Sequence, residues 1–295
     1  MPTLWDKNQE RDFFIKTLKL ANPEKLFYST KEANFFAYWV KGYKGEKTTL
    51  QSRNSFIGSY TEKWTTELLS EIAHTIGGYA VTKVVCEEIA LSKQSPADVA
   101  ICKSKQTAQR PQDILMIIEV KMSVVWNWEF IPRGEDFELE CKGDYNTHQG
   151  NPSLLRSDTM LKAIGKSINV RVSSFAASKI PIIVFGNTPI NKSYYPKVDH
   201  LRKNGIVQGF WSVNPQPSDT NKGNVKNTPH NGFYRFDTYE ELRENTINLL
   251  KEDREFFSSM QTKKRLGEII EIANRELTYE AKAQRFLELL REVDG

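Results

Sequence analysis

The sequence predicts an α/β fold with an α/β/α core, a central mixed sheet and helical additions at both ends of the chain. Three short apolar segments, 80–91, 97–103 and 113–125, follow one another as consecutive strands should. An amphipathic helix pattern at 157–172 precedes a buried strand at 180–186. This order of helix and strand is the crossover that would complete such a core.

The pattern along the chain indicates four stretches. We expect an N-terminal helical addition at 1–50, the core at 51–212, a mobile loop at 213–235 and a C-terminal helical region at 236–295. The helices outside the core are expected near residues 6–20, 22–40, 238–257, 260–276 and 278–293. Within the core, 55–77 is the clearest helix, because apolar residues recur every four positions from Trp64 to Ile76.

Composition is that of an ordinary globular protein, since 39% of the 295 residues are hydrophobic and 26% are charged. The cysteines Cys86, Cys102 and Cys141 are odd in number and have no paired spacing, which argues against disulfides and a zinc site. The first residues lack a signal-peptide pattern, and no apolar run reaches membrane-spanning length. We therefore expect a soluble cytoplasmic protein with no membrane partner and no nucleotide cofactor.

Two charged residues end the most apolar run of the chain. Glu119 and Lys121 close the segment 114–121, and residues two apart on a strand point to the same face. Upstream, Asp98 lies at the start of the preceding apolar run. Two carboxylates with an ammonium beside them are the residue set that a Mg²⁺-dependent nuclease requires.

This arrangement resembles the PD-(D/E)xK nuclease superfamily, and the whole chain looks most like a type II restriction endonuclease. The resemblance rests on Asp98, Glu119 and Lys121, with an acidic helix before them, and covers roughly residues 55 to 190. One departure is that Ala97 separates Pro96 from Asp98, outside the ligand positions. The resemblance implies a restriction-endonuclease-like core and the cytoplasm of a prokaryotic cell.

The resemblance also implies the chemistry. One or two Mg²⁺ ions would be bound by Asp98, Glu119, the carbonyl of Val120 and Glu62, with Glu67 and Glu71 as alternatives to Glu62. Lys121 would orient or help deprotonate the attacking water, and double-stranded DNA would be cut to 5′-phosphate and 3′-hydroxyl ends. Ser123, next on the same face, is either a supporting residue or an ordinary strand residue.

Other interpretations remain open. A second Glu-x-Lys, Glu140-Cys141-Lys142, lies in the polar stretch 133–144, which is typical of a solvated hairpin or loop. Asp98, Glu119 and Lys121 could also form an ordinary salt bridge at strand ends, and Glu62 could be a solvated residue of the first helical turn. A repair nuclease or junction resolvase with the same core, and a non-catalytic DNA-binding protein, are the functional alternatives.

Basic residues concentrate on one stretch of the chain, where Asp158 and Asp199 are the only acids between positions 156 and 205. We expect the DNA-facing surface there. Its members would be Arg156, Lys162, Lys166, Arg171, Arg202 and Lys203. The helix 157–172 would be capped by Ser157 or Asp158, with Met160, Leu161, Ile164 and Ile168 inward. A solvated basic face is the alternative. A duplex cutter with one site per chain also predicts a homodimer.

Overall fold

The computed structural model describes residues 2–30, 34–47, 50–220, 224–252, 254–257 and 261–292. The chain divides into two compact units, Met1–Arg254 and Glu255–Gly295. The first contains a mixed six-stranded sheet, an antiparallel four-stranded sheet and helices, and the second contains a helix pair. The predicted α/β class and the mixed sheet are confirmed.

The helices of the first unit are α1 (Lys7–Leu18), α2 (Gln51–Thr75), α3 (Ser157–Ser173), α4 (Tyr195–Lys203) and α5 (Tyr239–Lys251); those of the second are α6 (Lys263–Ala273) and α7 (Tyr279–Glu292). The strands are β1 (Tyr28–Ser29), β2 (Phe35–Phe36), β3 (Tyr79–Val84), β4 (Ala97–Cys102), β5 (Ile114–Val120), β6 (Trp128–Arg133), β7 (Asp136–Cys141), β8 (Ile182–Gly186), β9 (Gly209–Ser212) and β10 (Phe233–Arg235).

The six-stranded sheet has the order β10-β9-β8-β5-β4-β3. Strands β10, β9, β8 and β5 are parallel, whereas β4 and β3 continue as antiparallel neighbours. The central strands β5 and β8 are buried almost throughout, which explains their unbroken apolar sequence. The second sheet, β1-β2-β6-β7, is antiparallel, and its β6–β7 hairpin confirms the hairpin interpretation of 133–144.

Helices cover both faces of the six-stranded sheet. Leu68 of α2 packs with Met116 and Ile118 of β5 in one buried cluster. The alternate residue Ile117 packs with Val170 of α3 in another cluster on the opposite face. Because successive side chains of a strand point to opposite faces, Glu119 shares the α3 face with Ile117.

The predicted helix at 22–40 is wrong. A single 3₁₀ turn, Pro23–Lys25, is followed by the short strands β1 and β2. Phe35 of β2 packs edge-on against Phe130 of β6, at 5.9 Å between ring centroids. Aromatic residues suit such cross-strand contacts, and this packing outweighs the helical periodicity. Residues 31–33 of this segment lie outside the described ranges.

Other predicted boundaries also change. The strand expected at 80–91 ends at Val84, and the 3₁₀ turn Glu87–Ile89 follows it. The expected mobile loop 213–235 contains buried Asn214, Ser218 and Thr228 and ends in β10. Buried carboxylates bind it, since Asp199 accepts from Thr228 Oγ1 and Asp144 accepts from Ser218 Oγ at 2.7 Å. Residues 221–223 are not among those described.

Helix α3 is rotated relative to the expectation. Its inward residues include Met160, Ala163 and Val170, whereas Leu161 and Ile168 are 61% and 39% exposed. Arg156 occupies the cap position, and no side chain caps the helix, in contrast to the predicted Ser157 or Asp158.

Three helices near the C-terminus agree with the prediction, with each observed range inside its expected one. In the second unit, Ile269 of α6 packs with Leu289 and Leu290 of α7. Within the described ranges, no helix has the length and apolar character needed to cross a membrane.

Candidate active site

Asp98 and Glu119 come together because β4 and β5 are antiparallel neighbours. Val99 of β4 pairs with Ile118 of β5, so the residues before and after this pair lie side by side. The backbone N–H of Val120 donates to Asp98 Oδ2 at 2.8 Å, which fixes the Asp98 carboxylate at the end of β5.

Two lysines bridge this carboxylate pair. Lys121 Nζ lies 2.5 Å from Glu119 Oε1 and 3.4 Å from Asp98 Oδ2. Lys166 Nζ, from α3, lies 2.6 Å from Glu119 Oε2 and 3.2 Å from Asp98 Oδ1. Each ammonium therefore contacts both carboxylates, and the cluster of four side chains has no net formal charge. We call Asp98, Glu119, Lys121 and Lys166 the charge cluster.

Burial and mutual contact shift the pKa values of the cluster in different directions. Burial would raise the pKa of Asp98, but Lys121, Lys166 and the Val120 N–H outweigh it and keep that pKa below its ordinary value. Burial and the charge of Asp98 raise the pKa of Glu119. Burial would lower the pKa of Lys121, but the two carboxylates raise it above its usual range. Asp98 is therefore the more strongly ionised of the two acids.

The oxygen atoms of this cluster fit a hard divalent cation. Glu119 Oε2 is buried, and the Lys166 ammonium lies 2.6 Å from it. The Val120 carbonyl accepts a bond from Lys121 Nζ at 3.3 Å and so lies on the same side as the carboxylates. Carboxylate and carbonyl oxygens are the ligands that Mg²⁺ prefers. Among the described residues, no three His, Cys, Asp or Glu side chains converge into a ready-made metal site.

Glu62, on α2, interacts electrostatically with residues of the charge cluster. It is half-buried on α2, and burial followed by the charge of Asp98 raises its pKa. Glu67 and Glu71 are exposed, and Glu67 pairs with Lys63 at 3.9 Å. Of the three predicted candidates, Glu62 is therefore the one whose charge is coupled to the site.

The backbone after β5 is fixed by side chains from other elements. Ser153 Oγ donates to the Lys121 carbonyl at 2.7 Å and accepts from the Asn187 N–H at 3.1 Å. Asn187 Nδ2 donates to the Ser123 carbonyl at 2.7 Å, and its Oδ1 accepts from the Ser123 N–H. Gly186 leaves room for this arrangement, since a Cβ there would lie 2.3 Å from Leu154 Cγ and 3.0 Å from Ser153 Oγ.

Glu10 fixes the next part of the same segment from inside the core. Its carboxyl group is fully buried and accepts from the N–H groups of Val125 and Trp126 at 2.7 and 2.9 Å. A third bond comes from Trp128 Nε1 at 2.9 Å. Burial outweighs these donors and raises the pKa of Glu10 to about 8. These hydrogen bonds join helix α1 to the segment 125–128, which follows β5 and the charge cluster in the sequence.

The predicted DNA contacts divide into three groups. Arg156 and Lys162 are exposed at the start of α3, where both pair with Asp158, and Lys203 is exposed at the end of α4. Lys166 lies in the charge cluster instead of on an open surface.

Arg171 and Arg202 are tied to the protein interior. Arg171 is 3% exposed, and its guanidinium donates to Ala177 O and Gln208 Oε1, so it is not on the surface where we predicted it. Arg202 is partly buried and donates to the Gln208 carbonyl at 2.5 Å.

The second Glu-x-Lys is a surface ion pair on the β6–β7 hairpin. Lys142 is exposed and lies 3.2 Å from Glu129 and 3.1 Å from Glu140. Glu129 and Glu140 face each other across β6 and β7 of the four-stranded sheet. Each Glu-x-Lys thus has a carboxylate from a neighbouring strand beside its lysine, and the two copies differ in burial, since the side chain of Glu119 is 5% exposed and that of Glu140 is 52% exposed.

Comparisons of the chain with family models, with curated proteins and with solved structures found no match in any of the three. Functional inference therefore depends on the geometry of the site. No sequence pattern indicates Ser153 or Asn187, because both act through hydrogen bonds to the backbone. The position of Lys166 could have been found from the buried face of α3, because it lies three residues after Ala163 and four before Val170.

Proposed function

We propose that this protein is a Mg²⁺-dependent endonuclease that hydrolyses phosphodiester bonds of double-stranded DNA. The observation that supports this proposal is the convergence of Asp98, Glu119 and Lys121 at the adjoining ends of β4 and β5. A mixed sheet with helices on both faces is compatible with a restriction-endonuclease-like core, and within that class a type II restriction enzyme is the activity that we propose.

Asp98, Glu119 and the Val120 carbonyl would bind the Mg²⁺, with Glu62 near enough to add its charge. When bound, the ion supplies positive charge to the scissile phosphate and makes a water molecule more acidic. Lys121 places an ammonium beside both carboxylates, where it orients the attacking water and stabilises charge that develops on the phosphate oxygens. Ser153 and Asn187 keep the backbone of Lys121 and Ser123 in place.

The test is digestion of a plasmid of known sequence with Mg²⁺, followed by mapping of the ends. We expect discrete fragments with 5′-phosphate and 3′-hydroxyl ends. Asp98→Asn and Glu119→Gln should abolish cutting while specific DNA binding in Ca²⁺ persists, because only the metal ligands are lost. Lys142→Ala is the matched control, since it removes the lysine of the exposed Glu-x-Lys. Cutting by Asp98→Asn at the parental rate would refute the assignment.

A second candidate is a DNA-binding protein without catalysis. Its support is the pairing of Lys166 with both carboxylates, because an ammonium already occupies the region that a metal ion needs. DNA binding with no Mg²⁺-dependent cutting of any substrate would favour it. Cutting confined to branched junctions or to DNA ends would instead identify a resolvase or a repair nuclease with the same site.

A further inference from the structure

A cleft of about 970 Å³ opens beside the charge cluster. Its lining includes Lys121, Ser123 and Ser153. The lining also includes Arg53 and Asn54 of α2, the aromatic residues Tyr28, Tyr38 and Trp39, and the first turn of α3. The cleft therefore adjoins the proposed site of phosphodiester cleavage and is large enough for part of a nucleic-acid strand.

Arg53 is a buried cation of this lining. Only 5% of its surface is exposed, and none of the described carboxylates forms an ion pair with it. Its Nη1 donates to the carbonyls of Leu26 and Ala37, and these are the hydrogen bonds formed by the guanidinium within the described ranges. A buried charge is costly without a counter-charge, so an anion in the cleft would offset this cost.

The faces of the aromatic rings that line the cleft are covered by other side chains. The Arg53 guanidinium lies 4.8 Å from the centroid of Tyr38 and 5.3 Å from that of Tyr28. The rings of Tyr38 and His148 stack at 3.8 Å, and Trp39 stacks on both Tyr28 and Tyr43. These faces are already used, which disfavours base stacking in the cleft.

Trp39 also carries a donor without an acceptor. The residue is 7% exposed, and its buried Nε1–H has no hydrogen-bond partner among the residues that the structure describes. A buried N–H of this kind destabilises the protein unless a ligand accepts from it. Trp39 lines the same cleft as Arg53, so one oxygen-rich ligand could satisfy both residues.

The start of α3 adds a third source of positive potential. Ser157 and Thr159 of its first turn line the cleft, and no side chain caps the helix. Uncapped N–H groups at the start of a 17-residue helix favour an anion. Asp158 is the single carboxylate among the described residues of the lining, and it is exposed and paired with Arg156 and Lys162.

We propose that this cleft binds a phosphate group, with Arg53 as its buried cation and with Trp39 Nε1–H and the first turn of α3 as donors. The source of that phosphate in the DNA rests on the proposed function: it is a phosphodiester next to the scissile one on the same strand. The site is independent of base sequence, because its groups are cations and N–H donors and its ring faces are occupied.

Two measurements test the proposal on the full chain. The first is thermal unfolding with inorganic phosphate against chloride at equal ionic strength. The second is binding of a 20-base-pair duplex in Ca²⁺ across a salt series. We compare the parent with Arg53→Gln, Trp39→Phe and a control, Arg133→Gln, which removes an exposed arginine paired with Glu138.

Arg53→Gln should lose the stabilisation by phosphate and flatten the slope of log affinity against log salt by about one unit. Trp39→Phe keeps the ring stack but loses the N–H, so DNA affinity should fall by about 2- to 10-fold with an unchanged slope. Arg133→Gln should match the parent in both measurements. If Arg53→Gln does not fold, Trp39→Phe decides, and parental affinity of that variant for both phosphate and DNA overturns the proposal.

The outcomes separate this site from the proposed function. Loss of phosphate stabilisation in Arg53→Gln, in a chain that neither binds nor cuts DNA, would support the site and refute the nuclease. A folded Arg53→Gln could instead keep the parental phosphate stabilisation and the parental salt slope while the parent protein cuts DNA. That result would refute the phosphate site and support the nuclease. Binding of duplexes with and without 5′-terminal phosphates shows whether the bound phosphate belongs to the DNA backbone or to a DNA end. An equal effect of Arg53→Gln on both supports a backbone phosphodiester, and an effect confined to phosphorylated ends overturns that assignment.

Discussion

Lys166 Nζ lies 2.6 Å from Glu119 Oε2, an atom that is buried in the interior of the protein. The ammonium therefore occupies the position from which a divalent cation would contact this oxygen. Binding of a metal ion and retention of this ion pair exclude each other at Glu119 Oε2. Lys166 would thus compete with the proposed metal ion, whereas Lys121 directly follows the end of β5.

This competition predicts opposite effects for the two lysines. Lys166→Ala should lower the Mg²⁺ concentration at half-maximal cleavage, because the carboxylates lose a competing cation. Lys121→Ala should instead reduce the maximal rate by roughly 10²–10³-fold, as expected for the loss of one stabilising donor. Both values come from cleavage rates measured across a Mg²⁺ titration.

Lys162→Ala is the matched control on the same helix, because Lys162 is exposed and pairs with Asp158. It should leave the half-maximal Mg²⁺ concentration unchanged. A higher Mg²⁺ requirement in Lys166→Ala would mean that this lysine assists metal binding or DNA binding, and the competition would then be disproved.

The buried carboxyl group of Glu10 predicts a pH-dependent stability. Its folded-state pKa of about 8 lies above the ordinary value of 4.5. The stability that Glu10 contributes is therefore fully present below about pH 4.5 and is lost as the pH rises to about 8. The unfolding free energy of the parent minus that of Glu10→Gln should fall by about 1.4 kcal/mol per pH unit across this window.

Urea unfolding at several pH values measures this difference. Glu10→Gln provides the reference, because its side chain has no titrating proton. A difference that stays constant from pH 5 to pH 8 would show that the three N–H donors keep Glu10 ionised in the folded protein.

Arg171 predicts a loss of stability and no loss of DNA affinity. Its removal in Arg171→Met leaves the acceptors Ala177 O and Gln208 Oε1 without their charged donor in the interior. We expect a decrease in the free energy of unfolding of about 2–3 kcal/mol. Lys162→Met, at an exposed position of the same helix, should change it by about 0.5 kcal/mol or less. A lower salt slope of DNA binding for a folded Arg171→Met would contradict the structural role.

The predicted homodimer is tested by mass in solution. A cut through both strands by one active site per chain is expected to require two chains. Light scattering with and without the cleaved duplex should give the mass of two chains in at least one of the two conditions. The mass of a single chain in both would mean that each strand is cut in a separate encounter.

The charge-bearing strand ends could be predicted from the sequence. The apolar run before Glu119 requires burial on both faces, and such a run determines a central strand more strongly than propensity does. Because Asp98 begins the preceding strand, antiparallel pairing alone brings the two carboxylates together. The C-terminal helices were predictable for a similar reason, since their apolar stripes are long and regular.

The remaining features depend on contacts between distant parts of the chain. The helical pattern at 22–40 fails because Phe35 finds its partner Phe130 across a sheet that no local window shows. The one-sided basic charge of 156–205 predicts a surface position for Lys166, whereas pairing with two strand carboxylates places it in the charge cluster. Arg53 gave no signal at all, since its burial results from Tyr28 and Tyr38, which come from a different stretch of the chain.

The bonds of Glu10 also bear on the order in which the protein is made. Its acceptor oxygens find their donors 115 to 118 residues later in the chain. During synthesis, α1 leaves the ribosome long before Val125 and Trp126 exist, and its carboxyl group stays hydrated until then. Contacts of such long separation form slowly, because a large loop must close before they can stabilise anything. Helix α1 therefore completes its packing only once the segment that follows β5 has been made.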